Sequence, residues 1–275
     1  KGFSSSTIVR LKQIWEEEYE AWSKRDLIEK QYAYFWVDGI HFNVRLDDDK
    51  SCILVIMGAD AQGNKELIAV SDGHRESKLS WKEILLDLRN RGLSVDPKLV
   101  IGDGALGFWA AARETYGTTT KEQRCWVHKT ANILDKMPKS QQGKAKSMVR
   151  EMYMSDTKHN ALKAYDHFIE TYSDKYPKAV ECLMKDKEHL FTFYDFPSVH
   201  WQHIRTTNPI ESTFATIRLR TQKTRGCGSR TATLTMVYKL ALEASKGWKK
   251  LKGYNMIQLV LANKNFVDGE LKGAA

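Results

Sequence analysis

Three acidic residues sit where their carboxylates could do chemistry. Asp38, in FWVDG, ends an apolar run rich in aromatic and β-branched residues. Asp103, between Gly102 and Gly104, ends the short apolar run of residues 99–101. Glu211 opens a helix in NPIESTF, with Asn208 as its cap and Pro209 at its first position. If the strands that end in Asp38 and Asp103 are neighbours, the two side chains meet at one edge of a sheet. A helix crossing that edge brings Glu211 to the same point. Carboxylates crowded into a low-dielectric cleft repel one another unless cations neutralise them, and hard oxygen donors suit Mg²⁺ or Mn²⁺. Two such ions about 4 Å apart clamp the attacking and leaving oxygens of an in-line phosphoryl displacement. Each acid also has a purely structural reading. Asp38-Gly39 has the signature of a type I′ hairpin turn, Asp103 suits a βα turn and helix cap, and Glu211 fits a capping box.

The elements that must position these acids follow from periodicity. YAYFWVDGIHFNVRL, SCILVIMGAD and KELIAVSDG read as three sequential antiparallel strands joined by polar connections. SKLSWKEILLDLRNRG is a helix with Leu79, Ile84, Leu85 and Leu88 on its apolar face and Gly92 as its stop. PKLVIGDGA reads as a buried strand, GFWAAARETYG as a helix and EQRCWVH as a short strand. The order β-β-β-α-β-α-β calls for an α/β fold, a mixed sheet flanked by helices. From about residue 132 to 193 strand signals vanish, and AKSMVREMYM, ALKAYDHFIETY and AVECLMKDKEHLFTFY read as amphipathic helices. After them come two helices, PIESTFATIRLRTQKTR and TLTMVYKLALEASKGWKKL, separated by GCGSR. Ile210, Phe214 and Ile217 form the apolar face of the first, which leaves Glu211 at the margin of that face. At the other end of the chain, residues 1–25 form a Gly turn and a Ser-capped amphipathic helix.

The net charge is +9. All of the excess lies between Arg218 and Lys252, where ten basic residues face the single acid Glu243. A basic stripe confined to one segment is the footprint of a polyanion partner, or else a solvated helix surface. Cys52, Cys125, Cys182 and Cys227 are scattered without a C-x-x-C pair and read as reduced thiols of a cytosolic protein. No apolar run is long enough to span a membrane. The chain begins at Lys1 without a leader, and the missing Met suggests a truncated natural N-terminus.

Four blocks together resemble the DDE transposases of the bacterial insertion-sequence 256 / Mutator family: FWVDG, VIGDGALGFW, QRCWVHKTANIL and DFPSVHWQHIRTTNPIESTFATIRLRT. The resemblance covers nearly all of residues 30–255. It implies a ribonuclease-H-like mixed sheet interrupted by an all-helical insertion. The implied organisation is a helical remnant of an N-terminal DNA-binding region (1–30), the first part of the core (31–131), the insertion (132–204), the last part of the core with basic helices (205–255) and a tail (256–275). It further implies that Asp38, Asp103 and Glu211 bind two Mg²⁺ (or Mn²⁺) ions for hydrolytic nicking of transposon ends and 3′-OH strand transfer into target DNA. The implied partners are terminal inverted repeats, target DNA and a second copy of the chain, in a bacterial cytoplasm at the nucleoid. Candidate DNA contacts are Trp201, His203, Arg205, Asn208, Arg218, Arg220, Lys223 and Arg225; His200 and His203, which flank Trp201, read either as phosphate contacts or as plain surface histidines. Trp201 is placed either to stack on an unpaired base or to fill the core of the insertion. Cys125-x-x-His128 resembles the family's C-x-x-H signature. It can be read as half of a zinc site, but no second pair lies at ligand spacing, so a structural role or contact with DNA ends is favoured. Alternative readings are a domesticated, non-cleaving DNA-binding descendant and another ribonuclease-H-like nuclease such as a junction resolvase. The intact acidic triad stands against the first, and the helical stretch with its HIRTTNPIESTF block against the second.

Overall fold

A computed structural model describes residues 4–42, 51–73, 76–104, 106–223 and 229–273. In chain order, α1 (Ser5–Ser23) precedes the strands β1 (Tyr32–Phe42), β2 (Ser51–Asp60) and β3 (Lys65–Gly73). Then come α2 (Lys78–Asn90), β4 (Leu99–Gly102), α3 (Leu106–Tyr116) and β5 (Lys121–Arg124). Helices follow: α4 (Trp126–Leu134), α5 (Lys139–Met154), α6 (Lys158–Tyr172), α7 (Pro177–Met184), α8 (Lys187–Leu190) and α9 (Trp201–Ile204). Last are α10 (Asn208–Lys223), α11 (Arg230–Ser245), α12 (Ile257–Leu261) and the small hairpin β6 (Phe266–Val267) and β7 (Glu270–Leu271). None of the described helices is long and apolar enough to cross a membrane.

The first five strands form one mixed sheet in the order β3-β2-β1-β4-β5. The β1–β2 and β2–β3 pairs are antiparallel, whereas β1–β4 and β4–β5 are parallel. Both faces are covered, which is why the strands read as nearly continuous apolar runs. On one face, Phe35, Val37, Leu54, Ile56 and Val100 pack with Trp81 and Leu85 of α2 and Phe108 of α3. On the other, Trp36, Ile40, Val55 and Ile101 join Trp126, the helices α5 to α7 and the buried side of α10. The α/β order expected from the sequence is therefore present, with helices alone between β5 and α10.

Four local expectations need correction. On α2 the buried face is Trp81, Ile84, Leu85 and Leu88, while Leu79 is exposed, because the sheet lies a fraction of a turn away from the assumed stripe. The strand read through EQRCWVH stops at Arg124, and α4 begins at Trp126 with Cys125 as its N-cap residue. The single helix read through AVECLMKDKEHLFTFY is α7, α8 and a 3-10 turn over Thr192–Asp195. The break between them presents Asp186 to the buried cations Arg124 and Lys129, at 3.3 and 2.9 Å. Finally, α10 is capped by Thr207 and not by Asn208. The Thr207 carbonyl accepts the N–H groups of Ile210 and Glu211, and Asn208 is already helical.

Candidate active site

Register brings two of the three acids together. In the parallel β1–β4 ladder Trp36 pairs with Ile101, and two residues further on each chain reaches Asp38 and Asp103. Asp38 does not end its strand. It pairs with Val55 of β2, and Gly39 pairs with Leu54, so Asp-Gly lies inside a ladder and makes no hairpin turn. The reason is that β1 runs on against the long β2 after β4 has stopped. Asp38 is 7 % exposed, and its Oδ1 accepts the Gly39 N–H at 2.8 Å. Burial, and next the charge of Asp103, push its pKa up to about 7, against the opposing pull of His128. Gly104, with φ +91°, turns the chain behind Asp103, and a side chain there would strike the Arg124 guanidinium.

A fourth carboxylate stands beside these two. Glu76, half-buried just before α2, shares a narrow cleft with Asp38 and Asp103 that is walled by Trp81, Gly102 and Trp109. Burial, and then Asp103, hold its pKa above the ordinary range, while His41 lowers it. Its Oε1 lies 3.2 Å from His41 Nε2.

Glu211 approaches from the opposite face of the sheet, carried by α10. Ile210, Phe214 and Ile217 are buried as the helical pattern requires, and Glu211 stands at the margin of that face, half-buried. Its Oε1 accepts the Thr207 hydroxyl and lies 3.6 Å from His128 Nδ1. Thr207 also donates its N–H (3.3 Å) and can turn its hydroxyl (3.2 Å) to Cys125 Sγ. One hydroxyl proton serves the thiol or the carboxylate, not both at once. Burial raises the Cys125 pKa, but hydrogen bonds from His128 and Thr207 outweigh it and lower the thiol below its ordinary value. The same bond to Cys125 lifts His128 to about 9 against the cost of burial, and the charges of Cys125, Glu211 and Asp38 add to the rise. The raised pKa favours a protonated ring beside Glu211. The C-x-x-H pair is a bracket for the start of α10, and Glu211 supplies the third donor that the sequence spacing did not reveal. The ligand atoms of Cys125, His128 and Glu211 lie within 4.8 Å of one another.

The candidate DNA contacts divide. Trp201 packs edge-on against Phe193 and Tyr194 and donates its indole N–H to Phe196 O at 2.8 Å, the core placement of the two left open. His200 is fully buried between the Tyr34 hydroxyl and the Gly253 carbonyl, so the surface placement expected for it is corrected. Burial, then Lys65, lowers His203 to about 4, and its Nε2 accepts the Lys252 N–H. Arg205 reaches Tyr153 O at 2.7 Å and stacks on that ring, bolting the approach to α10 onto the end of α5. Asn208 and Arg218 are exposed. Arg220 and Lys223 lie in the last turn of α10, their side chains outside the described residues, as are Arg225 and Cys227. Elsewhere on the stripe, Lys239 pairs with Glu18 and Lys246 with Glu243.

Sequence reasoning missed Glu76, Thr207 and the Arg124–Asp186–Lys129 cluster. That cluster borders a cleft of about 400 Å³ that Asp103 and Gly104 also line. Lys129 left a signal: it lies on the helical face of Trp126 and Ile133, where only a paired cation can be buried.

The sequence matches the family described as "Transposase, Mutator family" over residues 1–251. It is 48% identical over 270 residues to the transposase for insertion sequence element IS6120 of Mycolicibacterium smegmatis, covering 98% of this chain and 83% of that one. It is likewise 48% identical over 276 residues to the transposase for element IST2 of Acidithiobacillus ferrooxidans, covering 98% and 90%. Similarity to the transposase for IS256 in transposon Tn4001 of Staphylococcus aureus is 28%, over 90% of this chain and 64% of that one.

Proposed function

This chain belongs to the Mutator family of transposases, and from that premise we propose that it cuts the ends of a mobile DNA element and joins the freed 3′-OH to target DNA, using Asp38, Asp103 and Glu211. The observation that carries this reading is the register that sets Asp38 beside Asp103, two residues past their strands' last parallel pair. A carboxylate buried beside a second one is a costly arrangement for stability alone. It suits a hard dication, and the donor set of Asp38, Asp103 and Glu211 oxygens fits Mg²⁺ or Mn²⁺. Two dications bound there supply a readied water or 3′-OH and a stabilised leaving oxygen. The sheet order, with helices interposed before the Glu-bearing α10, supports a ribonuclease-H-like core with a helical insertion.

The chain's own residues then have defined tasks. Asp38 and Asp103 fix one side of the centre from the sheet. Thr207 and Cys125 hold the start of α10, and so aim Glu211. His128 keeps a proton near Glu211 and Asp38, and limits their repulsion while the dications are away. The basic helices α10 and α11 hold the phosphate backbone of the element's ends and of the target. Engaging two ends at once calls for two copies of the chain.

The test is cleavage of a duplex carrying the element's terminal repeats, with and without Mg²⁺ or Mn²⁺. Wild type should nick at the repeat ends and leave a 3′-OH. Glu211→Gln keeps the helix start and removes the charge, so cleavage should collapse while DNA binding persists. Cleavage by Glu211→Gln at the wild-type rate would reduce Glu211 to a partner of its own helix cap.

A further inference from the structure

We propose that Glu76 is a fourth carboxylate of the dication-binding centre, with His41 as its positioning residue. The inference rests on the reading of Asp38 and Asp103 given above.

Glu76 occupies a space that the chain leaves open. Val37 and Gly39 point to the same face of β1, opposite to Asp38. A Cβ on Gly39 would fall 2.3 Å from Glu76 Oε1, 2.7 Å from Cδ and 2.9 Å from Cγ, so the Glu76 side chain lies across the bare backbone of Gly39. Any residue other than glycine at position 39 would push that carboxylate away.

The Glu76 backbone is fixed as well. Ser77 caps α2 by accepting the Ser80 N–H at 3.1 Å. Gly107 of α3 approaches so closely that a Cβ there would fall 2.3 Å from the Glu76 carbonyl oxygen. His41, four positions after Val37 on β1 and on the same face, reaches Oε1 from the outer side. Glu76 therefore flanks Asp38 and Asp103 from the α2–α3 side, in the cleft that the three line together, with its ligand oxygen also within 4.8 Å of His41 and Cys52 Sγ. An acid needed only to cap α2 would be redundant with Ser77, and one needed only for solubility would not lie over a glycine inside a cleft with two other acids.

Binding of Mn²⁺ alone to the full chain, followed by the loss of the free-ion electron paramagnetic resonance signal, tests this without any catalytic readout. Glu76→Gln should weaken Mn²⁺ binding roughly tenfold or more, with circular dichroism and DNA binding retained. Gly39→Ala leaves Glu76 in the sequence but displaces its side chain, and should weaken Mn²⁺ binding in the same direction. The double variant should be little worse than either single one, because both act on one carboxylate. Asp38→Asn is the reference. If Asp38→Asn weakens Mn²⁺ binding and both Glu76→Gln and Gly39→Ala bind as wild type does, Glu76 is not part of the centre and the proposal is overturned, while the active-site reading stands. If none of the three variants changes Mn²⁺ binding, the active-site reading fails and the proposal with it. Should Glu76→Gln not fold, Gly39→Ala decides the matter by itself.

Discussion

Replacing Asp38 with Asn should make the metal-free protein more stable relative to wild type as the pH rises. The carboxyl of Asp38 is lifted from an ordinary 3.8 to about 7 by burial and by Asp103. A raised acid binds its proton more tightly in the folded state. Its contribution is therefore full below pH 3.8 and is lost as the pH climbs through 7. At 1.36 kcal/mol per pH unit the interval spans about 4 kcal/mol, and about two-thirds of it falls between pH 5 and pH 8. Because part of the rise comes from a neighbouring charge, screening reduces this further. The stability gap between Asp38→Asn and wild type should then widen by about 2 kcal/mol from pH 5 to pH 8, or roughly 5 °C in Tm for a chain of this size. Asn keeps the Oδ1 that accepts the Gly39 N–H, and any cost of its amide group is the same at both pH values, so the widening isolates the charge. Thermal unfolding in EDTA at the two pH values measures it. Mg²⁺ added at pH 8 should raise the wild-type Tm and leave the variant's nearly unchanged. A gap that stays constant or narrows with pH would refute the reasoning.

Three other outcomes follow from the packing. Asp186→Ala leaves Lys129, 1 % exposed, without its counter-charge and should cost about 3–5 kcal/mol in urea unfolding; a loss below about 1 kcal/mol would show that Lys129 escapes to water. Thr207→Val removes the hydroxyl shared by Cys125 and Glu211 and should cost about 1 kcal/mol while slowing terminal-repeat cleavage several-fold; an unchanged cleavage rate would detach the C-x-x-H bracket from Glu211. Arg218→Glu should weaken DNA binding and flatten its dependence on salt, with log–log titrations of affinity against salt as the measure; an unchanged slope would remove the exposed side of α10 from the interface.

Much of the sheet could be read in the sequence because its rules are local. The runs SCILVIMGAD and KELIAVSDG coincide with β2 and β3, since apolar β-branched residues bounded by polar turns leave few other choices. The neighbouring of β1 and β4 was legible as a possibility, and it puts Asp38 beside Asp103. What escaped depends on partners distant in the chain. Asp38-Gly39 mimics a turn, and only the length of β2 keeps it in a strand. The break after α7 is fixed by Arg124 and Lys129, some 60 residues earlier. Glu76 sits in HRESK, an unremarkable polar connection, and its position becomes informative only when Gly39 is seen beneath it. His200 looked like a surface histidine because a buried polar ring is recognised by its partners, here Tyr34 and Gly253. Likewise the cap of α10 shifted by one residue because Thr207 is held by Cys125, the residue before α4, a contact that no local capping rule contains.

On the function proposed above, Asp38, Asp103 and Glu211 share divalent cations. Anomalous diffraction from crystals soaked in Mn²⁺ tests it most directly. Peaks are expected about 2.1 Å from carboxylate oxygens of Asp38 and Asp103, with Glu211 turned from Thr207 and His128 toward the same ions. Mn²⁺ found only at Cys125, His128 and Glu211, or absent from Asp38 and Asp103 at saturating concentration, would contradict it.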